Sequence, residues 1–232
     1  MVKKKKSIKE KDLILINYTA KIKETDTVID SNISETIEEH RLINSISGPT
    51  LLIIGENWML EAIDSFLKGK KEGKEYSIEV PPERAFGLRD SKKLTVVPLR
   101  RLLKQGINPV IGNSLELDGR LGIVRSTSSG RVTIDFNHVL AGKTILYDIK
   151  VIKIITDLKE RIKALITRRI IEVEDDLYQL DIDKENNLII HFPEEAFYLQ
   201  GVQLNKRGIA SDIRRFISEI KNIHYLEDFS EM

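Results

Sequence analysis

Alternation of apolar and polar residues predicts a series of β-strands in the first part of the chain. One apolar segment departs from this pattern, because its apolar residues recur at helical spacing. These residues are Met59, Leu60, Ile63, Phe66 and Leu67, and they predict a helix over 58–68 that is capped by Glu56-Asn57 and ended by Gly69. The strands are expected over 12–22, from Val28 onward, over 50–55, over 75–80 and over 143–155. The polar stretch 31–49 predicts a long loop or flap.

Residues 89–132 are predicted to form a self-contained insertion. Asp118-Gly119 and Ser128-Ser129-Gly130 are typical hairpin turns. The flanking segments predict strands over 94–97, 113–117, 120–125 and 131–137, with one or two helical turns over 98–105.

After Thr156 the pattern predicts a separate β/α module. Thr156 or Asp157 caps a first helix, and strands are expected over 178–182 and 188–192. A second helix and a last strand over 223–229 complete the prediction. One face of that helix carries Ile209, Ile213, Phe216, Ile217 and Ile220.

Composition narrows the class of protein. A content of 41% hydrophobic and 31% charged residues is typical of a soluble globular protein. The net charge of +1 does not favour a nucleic acid or an anionic membrane as partner, and the basic run Lys3–Lys6 predicts a solvated terminus. The chain has no cysteine, and no apolar segment approaches the roughly 18 residues of a membrane-spanning helix. A cytoplasmic protein is therefore expected.

The sequence lacks the motifs of metal, cofactor and nucleophilic chemistry. Its four histidines, at positions 40, 138, 191 and 224, are scattered, and neither a phosphate-binding loop nor a GxSxG elbow occurs. We therefore expect neither a metal nor a cofactor. Prolyl isomerisation needs none of these groups, because its barrier of about 18–20 kcal/mol comes from amide resonance. An apolar pocket favours the twisted transition state, which has less charge separation than the planar amide.

Four short motifs follow one another along the chain. They are Asn17-Tyr18-Thr19, Ile29-Asp30-Ser31, the segment 82–87 (Pro-Glu-Arg-Ala-Phe-Gly) and the segment 137–147, which begins Asn-His-Val-Leu-Ala-Gly-Lys. Through them the chain resembles the FKBP-type peptidyl-prolyl isomerases, in the SlyD-like branch that carries an insert-in-flap domain. The resemblance implies an α+β fold, in which a half-wrapped antiparallel β-sheet surrounds a short helix. It implies an isomerase domain over 1–88 and 133–155, an inserted small β-rich chaperone domain over 89–132 and a C-terminal β/α domain over 156–232.

The resemblance also implies a pocket that binds the substrate proline. Its residues would be Tyr18, Asp30, Met59, Leu60, Ile63, Phe86 and Tyr147. Asp30 would orient or polarise the substrate amide, the backbone N–H of Leu60 would bind a neighbouring carbonyl, and Ile63 and Tyr147 would form apolar walls. His138 is expected to be structural.

Three positions depart from the family pattern. Phe86 replaces a tyrosine, Thr50 replaces an apolar wall residue, and Ile63 replaces the common tryptophan at the pocket floor. The only tryptophan, Trp58, falls beside the floor. These departures predict weaker binding of short peptides and of macrolide inhibitors.

The residues taken one at a time allow simpler interpretations. Tyr18 and Tyr147 are also compatible with ordinary strand aromatics, Asp30 with a turn residue and Phe86 with a loop anchor. The apolar residues of the predicted helix are equally compatible with a buried core face.

The inserted segment and the C-terminal module have expected roles of their own. The insertion would capture unfolded chains, through apolar residues that a small core also needs; these are Val96, Val97, Leu99, Leu102 and Leu103. The C-terminal module resembles the extra domain of long archaeal members, best over 208–213, and would serve in homodimerisation, in cradling substrate or in simple packing.

The favoured function is a peptidyl-prolyl isomerase and folding chaperone that acts on unfolded or partly folded proteins with X-Pro bonds. Two rival functions remain. One is a holdase with a vestigial pocket, which Thr50, Ile63 and Phe86 favour. The other is a nucleic-acid-binding β-barrel, which the net charge and the lack of interleaved aromatic and basic residues disfavour.

Overall fold

The computed structural model describes residues 6–229, so most of the basic run Lys3–Lys6 lies outside the described residues. These residues form strands and helices that follow the predicted order. The strands are β1 (Leu13–Ile22), β2 (Thr27–Ser31), β3 (Thr50–Ile53), β4 (Glu75–Val80), β5 (Leu94–Pro98), β6 (Ser114–Leu117), β7 (Arg120–Ser128), β8 (Arg131–Asp135), β9 (Ile145–Ile155), β10 (Gln179–Ile182), β11 (Asn187–Phe192) and β12 (Asn222–Glu227). The α-helices are α1 (Ser34–His40), α2 (Glu61–Leu67), α3 (Leu99–Lys104), α4 (Leu158–Arg169) and α5 (Val202–Phe216).

Residues 6–229 divide into two compact units. The first unit comprises 6–19, 29–78 and 148–229, and the second comprises 20–28 and 79–147. Each unit is described by itself below.

A five-stranded sheet has the order β2-β1-β9-β4, with β3 paired antiparallel to β1. The register places Leu13 opposite Ile53 and Ile16 opposite Thr50. Short helix α2 belongs to the same unit as β3, and its residues Ala62, Ile63 and Leu67 are buried. This combination of an antiparallel sheet with a short helix confirms the predicted α+β class.

The inserted segment forms an antiparallel sheet of its own in the second unit, with the order β5-β8-β7-β6. Its core consists of Val97, Leu102, Leu115, Leu117, Val124, Val132 and Ile134. Both predicted hairpin turns are present. Asp118 and Gly119 have φ of 52° and 73°, and Ser129 and Gly130 have φ of 49° and 71°, the left-handed region that two-residue hairpin turns require. The sheet runs from residue 94 to residue 135.

The C-terminal residues form a three-stranded sheet covered by two helices. The Asp157 carboxylate accepts the N–H of Glu160 and caps α4, as one of the two predicted alternatives requires. Strand β10 pairs antiparallel with β11, and β11 pairs parallel with β12 after the crossover helix α5. Ile162, Leu165 and Ile166 of α4 share one hydrophobic core with Leu13 of β1 and Ile53 of β3.

The structure corrects the prediction that 31–49 is only a loop, because α1 lies within it. None of the residues of α1 is buried, so no apolar stripe marked the helix. The helix ends at Arg41, whose φ is 52° and whose backbone N–H donates to the carbonyls of Ile37 and Glu38.

Two predicted helix boundaries are also wrong. Helix α2 begins at Glu61 rather than at Trp58, because the preceding backbone turns through Asn57, whose φ is 54°. Helix α5 ends at Phe216, before Ile217 and Ile220. Both isoleucines are nevertheless buried, so their spacing reflects the core beneath them rather than helical continuity.

Within residues 6–229, none of the helices combines the length and the apolar composition that a bilayer crossing requires. The α5 helix, for example, has 15 residues and carries several charges.

Candidate active site

Tyr18 and Asp30 lie side by side on neighbouring strands of the first unit. The phenolic hydroxyl of Tyr18 donates a hydrogen bond of 2.7 Å to Oδ2 of Asp30. The hydroxyl of Ser45 donates a second bond, also of 2.7 Å, to Oδ1. Both carboxylate oxygens are therefore held, and the orientation of the Asp30 side chain is fixed from two sides.

Asn32 fixes the backbone beneath this pair. Its side-chain oxygen accepts the N–H of Tyr18 at 2.8 Å, and its amide nitrogen donates to the carbonyl of Ile16 at 2.8 Å and to the hydroxyl of Thr50 at 2.9 Å. Asn32 is 2% exposed. A buried amide with these three bonds ties the end of β2 to β1 and β3.

The polar residue Thr50 thus has a structural explanation. Its hydroxyl accepts a hydrogen bond from the side-chain amide of Asn32. An apolar residue at this position would leave that amide N–H without an acceptor.

Asp64 shapes the loop before α2. Its carboxylate oxygen Oδ2 accepts the backbone N–H groups of Gly55 at 2.8 Å and Asn57 at 3.0 Å, and the residue is 2% exposed. Gly55 has a φ of 98°, a conformation that L side chains rarely adopt. These bonds set the path of the chain into Met59 and Leu60.

Leu60 is the N-cap residue of α2, and its carbonyl accepts the N–H of Ile63 at 2.8 Å. Within the described part of the chain, the Leu60 N–H donates no hydrogen bond. Met59 and Leu60 are half-buried, whereas Ile63 is fully buried and presents no area to solvent. The start of α2 therefore offers a backbone donor beside partly exposed apolar side chains.

Phe86 and Tyr147 belong to the second unit. The ring of Phe86 is half-buried and stacks on His138, with centroids 4.7 Å apart and planes inclined by 4°. The Nδ1 atom of His138 accepts the N–H of Leu140 at 3.2 Å, which supports a structural role for the histidine. Tyr147 lies in β9 and is 6% exposed.

Asn137 joins the two ends of the inserted segment. Its side chain accepts the N–H of Asp90 and donates to the carbonyl of Asp90, both at 2.9 Å. Asp135 accepts the backbone N–H and the side-chain amide of Asn137 and pairs with the guanidinium groups of Arg89 and Arg125. Burial alone would raise the pKa of Asp135, but the bonds from Asn137 and the two arginines together hold this pKa below its usual value.

The apolar residues proposed for the surface of the insertion divide into two sets. Val97 and Leu102 are buried in its core, and Leu99 is half-buried. Val96 is 57% exposed and Leu103 is 52% exposed. Further exposed apolar residues that the sequence did not single out are Leu94, Val110, Ile111 and Leu121.

Residues 6–229 contain no group of three or more histidine and carboxylate side chains arranged to hold a metal ion.

Sequence reasoning identified Tyr18 and Asp30 but not the three polar residues that position the site. Ser45, Asn32 and Asp64 are separated along the chain from the groups that they bind, and nothing in the local pattern marks them as buried or bonded. The one available signal was that Asn32 directly follows the motif Ile29-Asp30-Ser31.

Comparisons with known families give three matches along the chain. The model described as FKBP-type peptidyl-prolyl cis-trans isomerase matches residues 4–103. The FKBP26 IF domain matches residues 95–140, and the FKBP26 C-terminal domain matches residues 158–230.

Individual relatives agree with this result. The short-type peptidyl-prolyl cis-trans isomerase of Methanocaldococcus jannaschii is 30% identical over 146 residues, which are 62% of this chain and 92% of the relative. The FKBP-type 16 kDa isomerase of Escherichia coli K12 is 26% identical over 64% of this chain and 94% of its own length. The isomerase SlyD of Helicobacter pylori J99 is 28% identical over 61% of this chain and 72% of its own length. The chain belongs to the FKBP-type peptidyl-prolyl cis-trans isomerase family, as its sequence motifs predicted.

Proposed function

We propose that the isomerase reaction takes place at the Tyr18–Asp30 pair and the N-terminus of α2. The observation that carries the proposal is the fixed Asp30 carboxylate, which Tyr18 and Ser45 hold at 2.7 Å each. The unpaired backbone N–H of Leu60 supports it, because this donor can take the carbonyl of a substrate residue next to proline. Phe86 and Tyr147 enter the proposal from the sequence resemblance alone.

The chemistry requires binding and orientation rather than bond formation. A fixed carboxylate and a fixed backbone donor hold the substrate so that only rotation about the X-Pro bond remains free. Apolar surroundings then favour the twisted amide over the planar one. An acceleration of four orders of magnitude needs about 5.5 kcal/mol of differential binding, which such a site can supply without a nucleophile.

A decisive substitution is Asp30→Ala, with Glu35→Ala on the exposed surface of α1 as the matched control. Exchange of a proline-containing tetrapeptide, followed by NMR, should show kcat/KM lowered about tenfold or more by Asp30→Ala, since a charge-assisted hydrogen bond is lost. The Glu35→Ala protein should match the wild type. A wild type that does not accelerate exchange would instead favour the holdase with a vestigial pocket, which the full burial of Ile63 also favours.

We further propose that the inserted segment captures unfolded chains. The support is its set of exposed apolar side chains, which include Val96, Ile111 and Leu121, exposed by 57%, 61% and 72%. A substrate held by the same polypeptide has a raised effective concentration at the isomerase site.

This capture is tested by refolding a reduced, proline-limited protein under conditions where it aggregates. A Val96→Ser, Ile111→Ser double variant should suppress aggregation less and accelerate refolding less than the wild type, while its tetrapeptide activity remains. Val139→Ser is the matched control, because Val139 is 63% exposed in the same unit but outside the inserted sheet. If the double variant and Val139→Ser lost aggregation suppression and refolding acceleration to the same extent, the result would count against a specific capture surface.

For the C-terminal residues we propose a homodimer contact. Tyr198 and Phe229, exposed by 83% and 68%, both contact the ring of Phe197, and Leu204 in the same part of the chain is exposed by 74%. Sedimentation equilibrium should give a dimer for the wild type and a weaker one for Tyr198→Ser, and a monomeric wild type would exclude the contact.

A further inference from the structure

The inserted segment of the second unit is basic, although the chain as a whole is nearly neutral. Between 89 and 135 the sequence has nine lysine and arginine residues but only four aspartate and glutamate residues. Because the whole chain has a net charge of +1, the residues outside this segment are acidic overall. A local concentration of positive charge attracts partners of negative charge, which the net charge of the whole chain conceals.

The protein neutralises only part of this positive charge itself. Arg101 forms an exposed ion pair with Asp118 at 2.9 Å. The exposed cations of the segment that form no ion pair within residues 6–229 are Lys92, Lys93, Arg100, Lys104 and Arg131. Most of the basic side chains therefore remain available to a partner.

The strand register shows which side chains share the face of the inserted sheet that points away from its core. Val97 and Val132 are paired and buried in the core, so the residues next to them along each strand point the other way. We call this second side of the sheet the outer face. The pairs that the register places on it are Leu94 with Asp135, Val96 with Thr133, and Pro98 with Arg131. Leu94 and Val96, exposed by 38% and 57%, form an aliphatic strip along β5.

Two arginines lie at one end of this strip, around the carboxylate of Asp135. The guanidinium groups of Arg89 and Arg125 both bind Oδ2 of Asp135, so two positive charges share one carboxylate. Arg125 uses its Nε atom for this bond, at 3.0 Å, and its two terminal nitrogens donate no hydrogen bond in the described part of the chain. The Asp135 side chain is 1% exposed, whereas that of Arg125 is 40% exposed. The Arg125 guanidinium is therefore held in place with free donors that fit a second carboxylate.

Arg131 supplies a positive charge at the other end of the outer face. It lies four positions from Asp135 along β8, which corresponds to about 13 Å in an antiparallel strand. Val96 lies between these two rows on the neighbouring strand, because it pairs with Thr133. An extended chain that runs along the face has the same spacing, so two of its carboxylates, four positions apart, reach both arginine ends while the side chain midway contacts Val96.

The side chains of the outer face fit a polypeptide better than a nucleic acid. Proteins that bind single-stranded nucleic acids without sequence preference combine a basic groove with aromatic side chains on which the bases stack. The segment 89–135 contains no aromatic residue. Its exposed apolar side chains are aliphatic, and they gain from burial against the aliphatic side chains of another polypeptide.

We propose that the outer face selects unfolded segments that carry carboxylates four positions apart, with an aliphatic residue midway. The proposal rests on the capture of unfolded chains by the inserted segment, proposed above, and adds the class of segment that is captured. Aliphatic contacts supply the part of the binding that does not depend on charge. The arginines discriminate between acidic segments and neutral or basic ones.

Three peptides of equal length test this selectivity. One has aspartates four positions apart with valine midway, and the other two have asparagine or lysine in place of both aspartates. Each carries a neutral dye, and its binding to the full-length protein is followed by fluorescence anisotropy at about 0.05 M and about 0.5 M salt. The variant is Arg131→Gln and the matched control is Lys104→Gln. Lys104 is also exposed and unpaired, but it lies on α3, which packs on the core side of the sheet through Leu102.

The aspartate peptide should bind most tightly and the lysine peptide most weakly. The difference should shrink at high salt, because exposed ion pairs are screened. At low salt Arg131→Gln should raise the Kd of the aspartate peptide about two- to fivefold and leave that of the asparagine peptide unchanged. Lys104→Gln should have a much smaller effect on the aspartate peptide.

Several results would overturn the proposal. They are equal Kd values for the three peptides, equal effects of Arg131→Gln and Lys104→Gln, and an aspartate peptide that does not bind to a wild type that suppresses aggregation. A homopolymeric RNA that binds more tightly than the aspartate peptide, displaces it and is weakened by Arg131→Gln would assign the face to a nucleic acid instead. Failure of the capture proposal is distinct, because the wild type would then bind none of the peptides and would not suppress aggregation.

Discussion

Single buried polar residues determine the backbone around the proposed isomerase site. Asn32 and Asp64 are each 2% exposed. Asn32 binds groups that lie 14, 16 and 18 residues away along the chain, and Asp64 binds two N–H groups of the loop before its own helix. Because such groups lose water on folding, their bonds must form together or the local backbone is destabilised. The positions of Tyr18 and Leu60 therefore depend on residues that are not themselves proposed to contact substrate.

Asp64→Ala should be damaging although Asp64 is not among the residues proposed to bind substrate. The substitution leaves the N–H groups of Gly55 and Asn57 without their acceptor, which we expect to cost about 1–3 kcal/mol. Asp64→Asn keeps one acceptor oxygen and should cost less. Urea denaturation gives the loss of stability.

The same two variants also distinguish an effect of Asp64 on the geometry of the proposed site from its effect on stability. At a temperature where both remain folded, Asp64→Ala should raise KM for the tetrapeptide and Asp64→Asn should largely restore it. Equal KM values for wild type and Asp64→Ala would mean that the loop holds its shape without this carboxylate.

The residues of the proposed site also show how much could be predicted from the sequence. The Tyr18–Asp30 pair was predicted from its motifs, and the two side chains are hydrogen-bonded. Ser45 was missed because a serine in a polar stretch carries no sign of its partner. The family motifs thus predicted the residues that we propose to bind substrate. The residues that position them can be identified only from the three-dimensional structure.

The packing of α4 on α5 depends on one glycine and one carboxylate. Arg169 of α4 forms a bidentate ion pair with Asp212 of α5. One turn earlier, a Cβ atom on Gly208 would lie 3.0 Å from the Arg169 guanidinium. The hydrogen bond to Asp212 raises the pKa of Arg169, so the guanidinium stays protonated.

A double-mutant cycle at Gly208 and Asp212 tests this arrangement. Alone, Gly208→Ala should destabilise the protein, because the new methyl group displaces an arginine that Asp212 holds in place. In the Asp212→Ala background Arg169 is free to move, and Gly208→Ala should then stabilise by up to about 1 kcal/mol through helix propensity. Thermal unfolding of the four proteins gives the coupling, and additive effects would contradict the steric explanation.

The helices also show which elements a pattern can predict. Helix α4 was predicted, with Asp157 as one of two alternative caps, because it has a buried stripe and an N-cap aspartate. Helix α1 was missed because it buries nothing and has no side-chain cap. Periodicity detects burial rather than helicity, so a solvated helix has no periodic signal.

At the scale of the whole molecule, the second unit depends on a charged cluster at the base of its inserted sheet. The side chain of Asp135 is 1% exposed and binds Asn137, Arg89 and Arg125. Its lowered pKa means that the folded state binds this proton more weakly than the unfolded chain does. Its contribution to stability is therefore present above the unfolded pKa of about 3.9 and lost as pH falls through the lower folded value.

Asp135→Asn should reduce the stability of the second unit, and it should also make that stability less dependent on pH in the acid range. At neutral pH we expect a loss of about 1–3 kcal/mol, since two arginines lose their partner. Between about pH 5 and pH 2 the wild type should lose more stability than the variant. Thermal unfolding across this range, with the exposed Asp176→Asn as control, should show the difference, and parallel pH curves for wild type and Asp135→Asn would refute it.

The order of strands has a consequence for synthesis of the chain. Strand β1 ends at Ile22, but its sheet neighbour β9 begins only at Ile145. The inserted sheet, from 94 to 135, contains mainly hairpins between consecutive strands and is translated completely before β9. Local pairings close quickly, whereas distant ones wait for the chain and bear a larger loop-closure entropy. On the ribosome, the inserted sheet can therefore fold while β1, which already has β2 and β3 to pair with, still awaits β9, so the five-stranded sheet is completed only after the inserted sheet has been translated.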